Sequence, residues 1–240
     1  MIVLRDVHKS FGEKHVLRGL SLDIPAGENT VVIGYSGTGK SVLLKCIIGL
    51  LRPDRGEVLV DDEAVQEMER EQLAALRARV GYVFQSAALF DSLSVGDNVR
   101  LGLRRRGMGG EEMTARVRES LEVVDLAGTE EKFPAELSGG MRKRVGVARA
   151  IALRPSYLLY DEPTTGLDPV TSAVMNALMV RTRDLGVTGV IVTHDMHTAF
   201  TVGNRVAMLY EGTVRQVGTP ERMRASDDKV VRQFIEGRPE

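Results

Sequence analysis

A glycine-rich segment, GYSGTGKS at 34–41, combines bare backbone with one lysine and one hydroxyl residue at its end. It follows the apolar run TVVI and fits the spacing G-x-x-x-x-G-K-[ST]. Glycines leave backbone N–H groups uncovered, so several of them can converge on phosphate oxygens at the positive end of a helix. In such a loop Lys40 reaches the β- and γ-phosphates, and the Ser41 hydroxyl ligates Mg²⁺.

The alternative is a glycine-rich turn that only joins a strand to a helix. A predicted strand before the segment and a predicted helix after it favour the nucleotide site. The residues predicted to cradle the nucleotide are Gly34, Tyr35, Ser36, Gly37, Thr38, Gly39, Lys40 and Ser41.

Two adjacent carboxylates close a second apolar run, YLLYDEP at 157–163. Asp161 at the end of a strand can hold Mg²⁺ through water. Glu162 is then placed to orient or deprotonate an attacking water molecule. Two acids that end a strand usually form a solvated turn, but a phosphate-binding loop upstream favours the catalytic interpretation.

Composition limits the classes of protein to which this chain can belong. Its 240 residues, 43% of them hydrophobic and 5% aromatic, can form one large or two small domains with an aliphatic core. The balance of 32 basic and 33 acidic residues lacks the basic excess of a general nucleic-acid binder, so no nucleic-acid partner is expected. A single cysteine, Cys46, rules out an internal disulfide and suits a reducing compartment.

No signal peptide is visible, and the most apolar run, VLLKCIIGLL, is too short for a membrane span and contains Lys45. The sequence therefore predicts a soluble protein that reaches a membrane only through a partner.

The elements that position these groups follow from apolar periodicity. Residues 2–8 and 16–24 alternate like half-buried strands, and a helix is predicted from Gly39 to Leu51. Further strands are predicted at NTVVIG, EVLVD, VGYVF, YLLYD, GVIVT and RVAMLY, with helical segments such as 170–186 between the later ones. This alternation predicts an α/β protein with a mostly parallel sheet and helices on both faces. The pattern from about Gln85 to Ala148 is helical and indicates an insertion.

The segment LSGGMRKRVGVARAIAL at 137–153 resembles the ABC ATPases, whose signature LSGGQ appears here with Met141 in its last place. Ser138, Gly139 and Gly140 open a helix and offer a hydroxyl and bare amides to a γ-phosphate. Without the other motifs this would be only a helix cap.

The resemblance extends over about residues 2 to 236 and implies an ABC-type P-loop nucleotide-binding domain with an antiparallel β-subdomain and a RecA-like sheet. It implies a nucleotide-binding domain over 1–218, with a RecA-like core at 1–85 and 149–218 and a helical subdomain at 86–148. A helical tail is expected at 219–240.

The resemblance also implies roles for residues outside these motifs. Phe11 would stack on adenine, and the less favoured alternative is a phenylalanine of a small satellite core. Gln85 would sense Mg²⁺ and the attacking water, and Asp168 would communicate across a dimer. His194 would contact the γ-phosphate. The implied catalytic set is Glu162, His194, Gln85 and Lys40, and the implied metal ligands are Ser41, Gln85 and Asp161.

In ABC ATPases the P-loop of one subunit faces the signature of another, with ATP between them. One copy of each motif in this chain implies a homodimer, although a different ABC partner is an alternative. The resemblance places a membrane permease on Leu89, Phe90 and Leu93, although Leu89 and Leu93 could instead pack inside the helical subdomain.

The run ALFDSL resembles the ATPases of MCE-type lipid transporters, the Mla group, as do GTGKSVLLK and the ending VRQFIEG. This implies ATP hydrolysis that drives phospholipid movement between inner membrane and envelope, through an MlaE-like permease and an MCE-domain protein. The ATPase would lie on the cytoplasmic face of the inner membrane. The alternatives are an amino-acid or lipoprotein ABC transporter, a soluble ABC protein acting on nucleic acid, and a small-molecule P-loop kinase.

Overall fold

Two β-sheets organise the chain in the computed structural model, which describes residues 1–238. The strands are β1 Ile2–Phe11, β2 Lys14–Ile24, β3 Asn29–Ile33, β4 Arg55–Val60, β5 Glu63–Ala64, β6 Val80–Val83, β7 Tyr157–Asp161, β8 Thr188–Thr193, β9 Arg205–Tyr210 and β10 Thr213–Gly218. The helices are α1 Lys40–Ile47, α2 Arg70–Arg79, α3 Val95–Arg105, α4 Gly110–Val123, α5 Gly139–Ile151, α6 Pro169–Asp184, α7 Met196–Val202, α8 Pro220–Arg224 and α9 Lys229–Ile235.

The larger sheet has the strand order β10-β9-β3-β8-β7-β6. All its pairings are parallel except that of β10 with β9. Every residue of β3 and β8 is buried, as expected for parallel strands with both faces covered. The predicted α/β class with a mostly parallel sheet is confirmed.

Successive side chains of one strand enter two different cores, because side chains alternate across a sheet. Val31 and Ile33 pack on the side that includes Val145 of α5, whereas Val32 packs on the side that includes Leu44 of α1. The smaller sheet, in the antiparallel order β2-β1-β4-β5, covers the α1 side. The glycine-rich segment that follows β3 therefore leaves the sheet at a central strand, with a packed layer on each face of the sheet.

Three helices, α3, α4 and α5, lie between β6 and β7, where the sequence predicts a helical insertion. The predicted boundary at 148 falls within α5, which runs on to Ile151. The division of the chain into 1–85, 86–148 and 149–218 stays a prediction, and residues 239 and 240 of the predicted tail lie outside the described residues.

Helix α1 ends at Ile47, so the expectation that it continues to Leu51 is wrong. Gly49 has a left-handed backbone (φ 62), and the amides of Leu50 and Leu51 both donate to the carbonyl oxygen of Lys45. This is the glycine-terminated end that closes many helices. Within residues 1–238, no helix is both long and apolar enough to cross a bilayer.

Candidate functional site

The glycine-rich loop connects β3 to α1 and brings Lys40 to the first position of that helix. The Lys40 ammonium is nearly enclosed and donates to the carbonyl oxygens of Gly34 (2.7 Å) and Tyr35 (3.0 Å). Burial lowers the pKa of Lys40, and the carboxylates of Glu162 and Asp161 partly oppose that shift. Gly39 is left-handed (φ 104), and a Cβ atom there would lie 2.7 Å from Leu17 Cδ2, so the loop requires glycine at that position.

A cavity of about 550 Å³ opens over this loop, a volume within the range of small-molecule sites. Residues from five separate segments meet in it. They are Phe11, Lys14, Val16, Ser36, Gly37, Gly39, Lys40, Ser41, Val42, Gln85, Glu162 and His194. The structure thus brings together most of the residues that the sequence assigns to nucleotide binding and catalysis.

Oxygen atoms dominate the side of the site where Mg²⁺ is expected. The Ser41 hydroxyl donates to Asp161 Oδ1, and the Tyr82 hydroxyl donates to Asp161 Oδ2, each at 2.8 Å. Gln85 and Asp161 both line an adjoining cavity of about 490 Å³. Among the described residues there is no cluster of three or more His, Cys, Asp or Glu that could hold a metal. A hydroxyl, an amide oxygen and one carboxylate suit Mg²⁺, which keeps several waters and binds substrate phosphates.

Tyr82 was not singled out in the sequence. Burial, followed by the hydrogen bond to Asp161, raises the pKa of its hydroxyl far above the ordinary value. Tyr82 therefore stays a hydrogen-bond donor to Asp161 at physiological pH.

Glu162 follows β7 directly, and its carboxylate is held from two sides. His194 Nδ1 lies 2.9 Å from Oε2, and Lys40 Nζ lies 3.8 Å from Oε1. The backbone of Glu162 is left-handed (φ 50), and its amide donates to Val192 in β8 at 2.9 Å. This hydrogen bond helps to hold the strained residue in place. A carboxylate so fixed beside the cavity is suited to accept a proton from a water molecule.

Ser138 caps α5 by accepting a hydrogen bond from the amide of Met141 (3.2 Å), and Ser138 and Gly139 are exposed. Gly140 packs against α6, where an added Cβ atom would lie 2.2 Å from Thr171 Cγ2. Ser138, Gly139 and Gly140 are not among the described residues that line the 550 Å³ cavity. The chain therefore presents the signature helix start on a different part of its surface.

Two further predicted residues have well-defined local surroundings. Asp168 caps α6, because its Oδ1 accepts hydrogen bonds from the amides of Val170 and Thr171 at 2.9 Å. The hydrogen bond from the Thr171 hydroxyl, followed by those from the two amides, lowers the pKa of Asp168. The ring of Phe11 is 49% exposed at the rim of the cavity, and Lys9 Nζ lies 5.7 Å from its centroid. These contacts leave the assigned roles of Asp168 and Phe11 as predictions.

In the predicted docking segment, Phe90 is exposed, whereas Leu89 packs against the hydrophobic core and Leu93 is half-buried. Asn98, which is fully buried, fixes the segment: its Oδ1 accepts the Phe90 amide (2.8 Å), and its Nδ2 donates to the carbonyl oxygens of Phe90 and Leu93 at 3.1 Å. Asn98 was not identified from the sequence, since nothing in the run VGDNV distinguishes it from a surface asparagine.

Comparison with known proteins agrees with this geometry. A family model described as "ABC transporter" matches residues 17–165. The probable ribonucleotide transport ATP-binding protein mkl of Mycobacterium leprae is 44% identical over 99% of this chain and 69% of its own length. The chloroplastic protein TRIGALACTOSYLDIACYLGLYCEROL 3 of Arabidopsis thaliana is 43% identical over 99% of this chain and 74% of its own length.

A solved structure, the dimeric ATP-binding cassette MJ0796 in a post-hydrolysis state with ADP and Pi, superimposes with a TM-score of 0.83. It is 34% identical, and the match covers 92% of this chain and 99% of that one. Members of this family work as dimers with membrane permeases. The chain belongs to the ABC transporter family and is an ATP-binding subunit with the family's ATPase activity.

Proposed function

We propose that this chain energises the movement of phospholipid between inner membrane and cell envelope, as a homodimer bound to an MlaE-like permease and an MCE-domain protein. It would act at the cytoplasmic face of the inner membrane. The observation that carries the proposal is the segment ALFDSL, which resembles the Mla group and holds Phe90 exposed on a backbone that Asn98 fixes. A relative 43% identical, named for a galactolipid, supports a lipid cargo.

The hydrolytic roles are part of the same proposal. The amides of 34–41 and the Lys40 ammonium bind the β- and γ-phosphates, and Phe11 stacks on the adenine. Ser41, Asp161 and Gln85 would hold Mg²⁺, which neutralises phosphate charge when bound. Glu162 takes the proton of the attacking water, and His194 donates a hydrogen bond to the γ-phosphate.

The second half of each nucleotide site comes from another copy of the chain. Ser138 of the partner subunit, with the amides that follow it, would contact the γ-phosphate across the interface. The exposed start of α5 supports this arrangement, because it lies outside the cavity formed by its own chain. Asp168 would transmit the state of one site to the other.

The test has two steps. The tagged chain is first purified in mild detergent together with the subunits bound to it. Transfer of a fluorescent phospholipid from donor vesicles to acceptor vesicles is then measured with the reconstituted complex. We expect an MlaE-like permease and an MCE-domain protein to co-purify, and lipid transfer to require ATP and to disappear in Glu162→Gln. Co-purification of a different permease, with no ATP-dependent lipid transfer, would refute the lipid assignment.

A ribonucleotide cargo is the second candidate, because the relative that is 44% identical carries that description. Uptake of radiolabelled nucleosides or nucleotides into vesicles holding the same complex would separate the two. Uptake that depends on Glu162, without lipid transfer, would favour this candidate.

A further inference from the structure

Helix α5 carries one enclosed and one half-buried cationic side chain, Lys143 and Arg149, which contact the loops that follow Glu162 and Gln85. Lys143, 8% exposed, donates to the carbonyl oxygens of Pro163 (3.0 Å) and Thr165 (2.6 Å). These carbonyls belong to the loop that directly follows Glu162. Lys143 therefore fixes the backbone on the C-terminal side of the proposed general base.

Arg149, about one and two-thirds turns further along α5, contacts the loop after Gln85. Its guanidinium donates to the carbonyl oxygens of Ala88 (2.6 Å) and Ala87 (2.9 Å). These two alanines are left-handed, with φ of 48° and 63° respectively, a conformation that a Cβ atom disfavours. The Arg149 hydrogen bonds thus hold a strained segment between Gln85 and Phe90.

Close packing supports the same contact. An added Cβ atom at Gly146 would lie 3.4 Å from the Ala87 carbonyl oxygen, which is van der Waals contact. Helix α5 therefore packs closely against the backbone of this loop.

Neither cation has a carboxylate within ion-pair distance among the described residues. Burial lowers the pKa of both Lys143 and Arg149. A desolvated charge is unfavourable unless hydrogen bonds offset it, and here the backbone carbonyls of the two loops supply them. The position of each loop is therefore coupled to the position of α5.

We propose that Lys143 and Arg149 are positioning residues that transmit engagement of nucleotide at Ser138 to Glu162 and Gln85. Ser138 caps the same continuous helix, so a shift of α5 when a partner's nucleotide binds moves both loops together. The inference rests on the proposed roles of Glu162 and Gln85. It adds a physical link between the signature, the two catalytic groups and the docking segment.

The test compares Arg149→Met with Arg144→Met in the full chain assembled with its membrane subunits. Arg144 is a matched control on the same helix, because it also donates to two carbonyls, those of Val124 (2.9 Å) and Asp125 (3.2 Å), outside the catalytic loops. We expect Arg149→Met to lower kcat by about 10- to 100-fold and to leave the KM for ATP within about twofold. Arg144→Met should keep kcat within about twofold, because the two carbonyls that lose their donor lie outside the catalytic loops.

Rescue supplies a readout that a merely structural role would not produce. Arg149→Lys should also lower kcat. Because glycine adopts a left-handed backbone without strain and Ala88 is exposed, adding Ala88→Gly to Arg149→Lys should return part of the lost kcat. Lys143→Met should lower kcat in the same way. The separate variant Lys143→Arg keeps a cationic donor at this position and should keep kcat near that of the wild type. If Arg149→Met does not fold, the positioning role is tested by comparing kcat of Arg149→Lys with kcat of the double variant Arg149→Lys, Ala88→Gly.

Equal kcat values for the Arg149 and Arg144 variants, or no rescue by Ala88→Gly, would overturn the inference. Glu162→Gln and Gln85→Ala are measured in parallel. If they keep kcat, the proposed catalytic roles fail; if they lose it while Arg149→Met does not, only the positioning role fails.

Discussion

His194 Nδ1 lies 2.9 Å from Oε2 of Glu162, although 32 positions separate the two residues in the chain (194 − 162). The contact arises because β7 and β8 are parallel neighbours, so their carboxyl ends meet at one edge of the sheet. Lys40 reaches the same edge from β3, the other neighbour of β8. Strand order alone therefore gathers a carboxylate, an imidazole and an ammonium beside one cavity.

Replacing Glu162 with glutamine tests the assigned general base. The amide cannot accept a proton from water, so we expect kcat for ATP hydrolysis to fall by about 10²- to 10⁴-fold. ATP binding should persist, because Lys40 and the loop amides remain, and an ATP-bound dimer should accumulate on gel filtration. Phosphate release and nucleotide binding are the measurements. Glu71→Gln, at an exposed position of α2, is the control. Near-normal hydrolysis in Glu162→Gln would remove Glu162 from its role.

Much of the site was predictable because its motifs are local. The P-loop and the carboxylate pair are each continuous in sequence, so the spacing of their residues identifies the local backbone conformation. Buried apolar runs predicted the strands of the parallel sheet. The edge strand β10 was missed because its sequence, TVRQVG, is half-exposed and lacks a continuous apolar run.

Residues that act through distant contacts were not predictable in this way. Tyr82 meets Asp161 across 79 positions, and Arg149 meets Ala87 across 62. Each looks like an ordinary strand or helix residue in the sequence. Only the packing of α5 and the pairing of β6 with β7 bring these groups together.

Replacing Tyr82 with phenylalanine should raise the Mg²⁺ requirement. The change removes the hydroxyl that holds Asp161 Oδ2 and leaves the ring in place. Outer-shell hydrogen bonds orient metal ligands, so we expect the Mg²⁺ concentration for half-maximal nucleotide binding to rise by about tenfold. A Mg²⁺ titration with a fluorescent ATP analogue measures it. Tyr160→Phe, which loses a buried hydroxyl contact with Thr182 instead, should leave that concentration unchanged. Equal shifts in both variants would contradict the assignment.

Cys46 should make the free energy of unfolding fall at alkaline pH. Burial raises the pKa of its thiol to about 11, whereas the thiol of the unfolded chain titrates near its ordinary value. Between these two values the unfolded chain has lost the proton and the folded protein keeps it, so stability decreases as pH rises. We expect the wild type to lose about 2 kcal/mol more than Cys46→Ala between pH 8 and about 10.5. Urea unfolding at both pH values gives the comparison, and parallel losses would show that the thiol is not buried as described.

Replacing Phe90 with aspartate should break association with the permease and leave nucleotide binding intact. Phe90 is 56% exposed on a backbone that Asn98 fixes, and it does not line the ATP cavity. A buried aromatic anchor typically carries about 2 kcal/mol or more of binding energy, and a carboxylate in its place must also be desolvated. We therefore expect the affinity for the permease to fall by at least about 30-fold in a detergent pull-down or by interferometry.

Leu185→Asp is the matched control for this surface, because Leu185 is another exposed apolar residue, at the end of α6. It should bind the permease like the wild type. Asn98→Ala adds a second comparison: it keeps the Phe90 ring but frees the backbone that presents it, so its affinity should lie between those of the wild type and Phe90→Asp. If Phe90→Asp retains the permease while Leu185→Asp loses it, the docking face lies at the end of α6, and the Phe90 segment has no part in it.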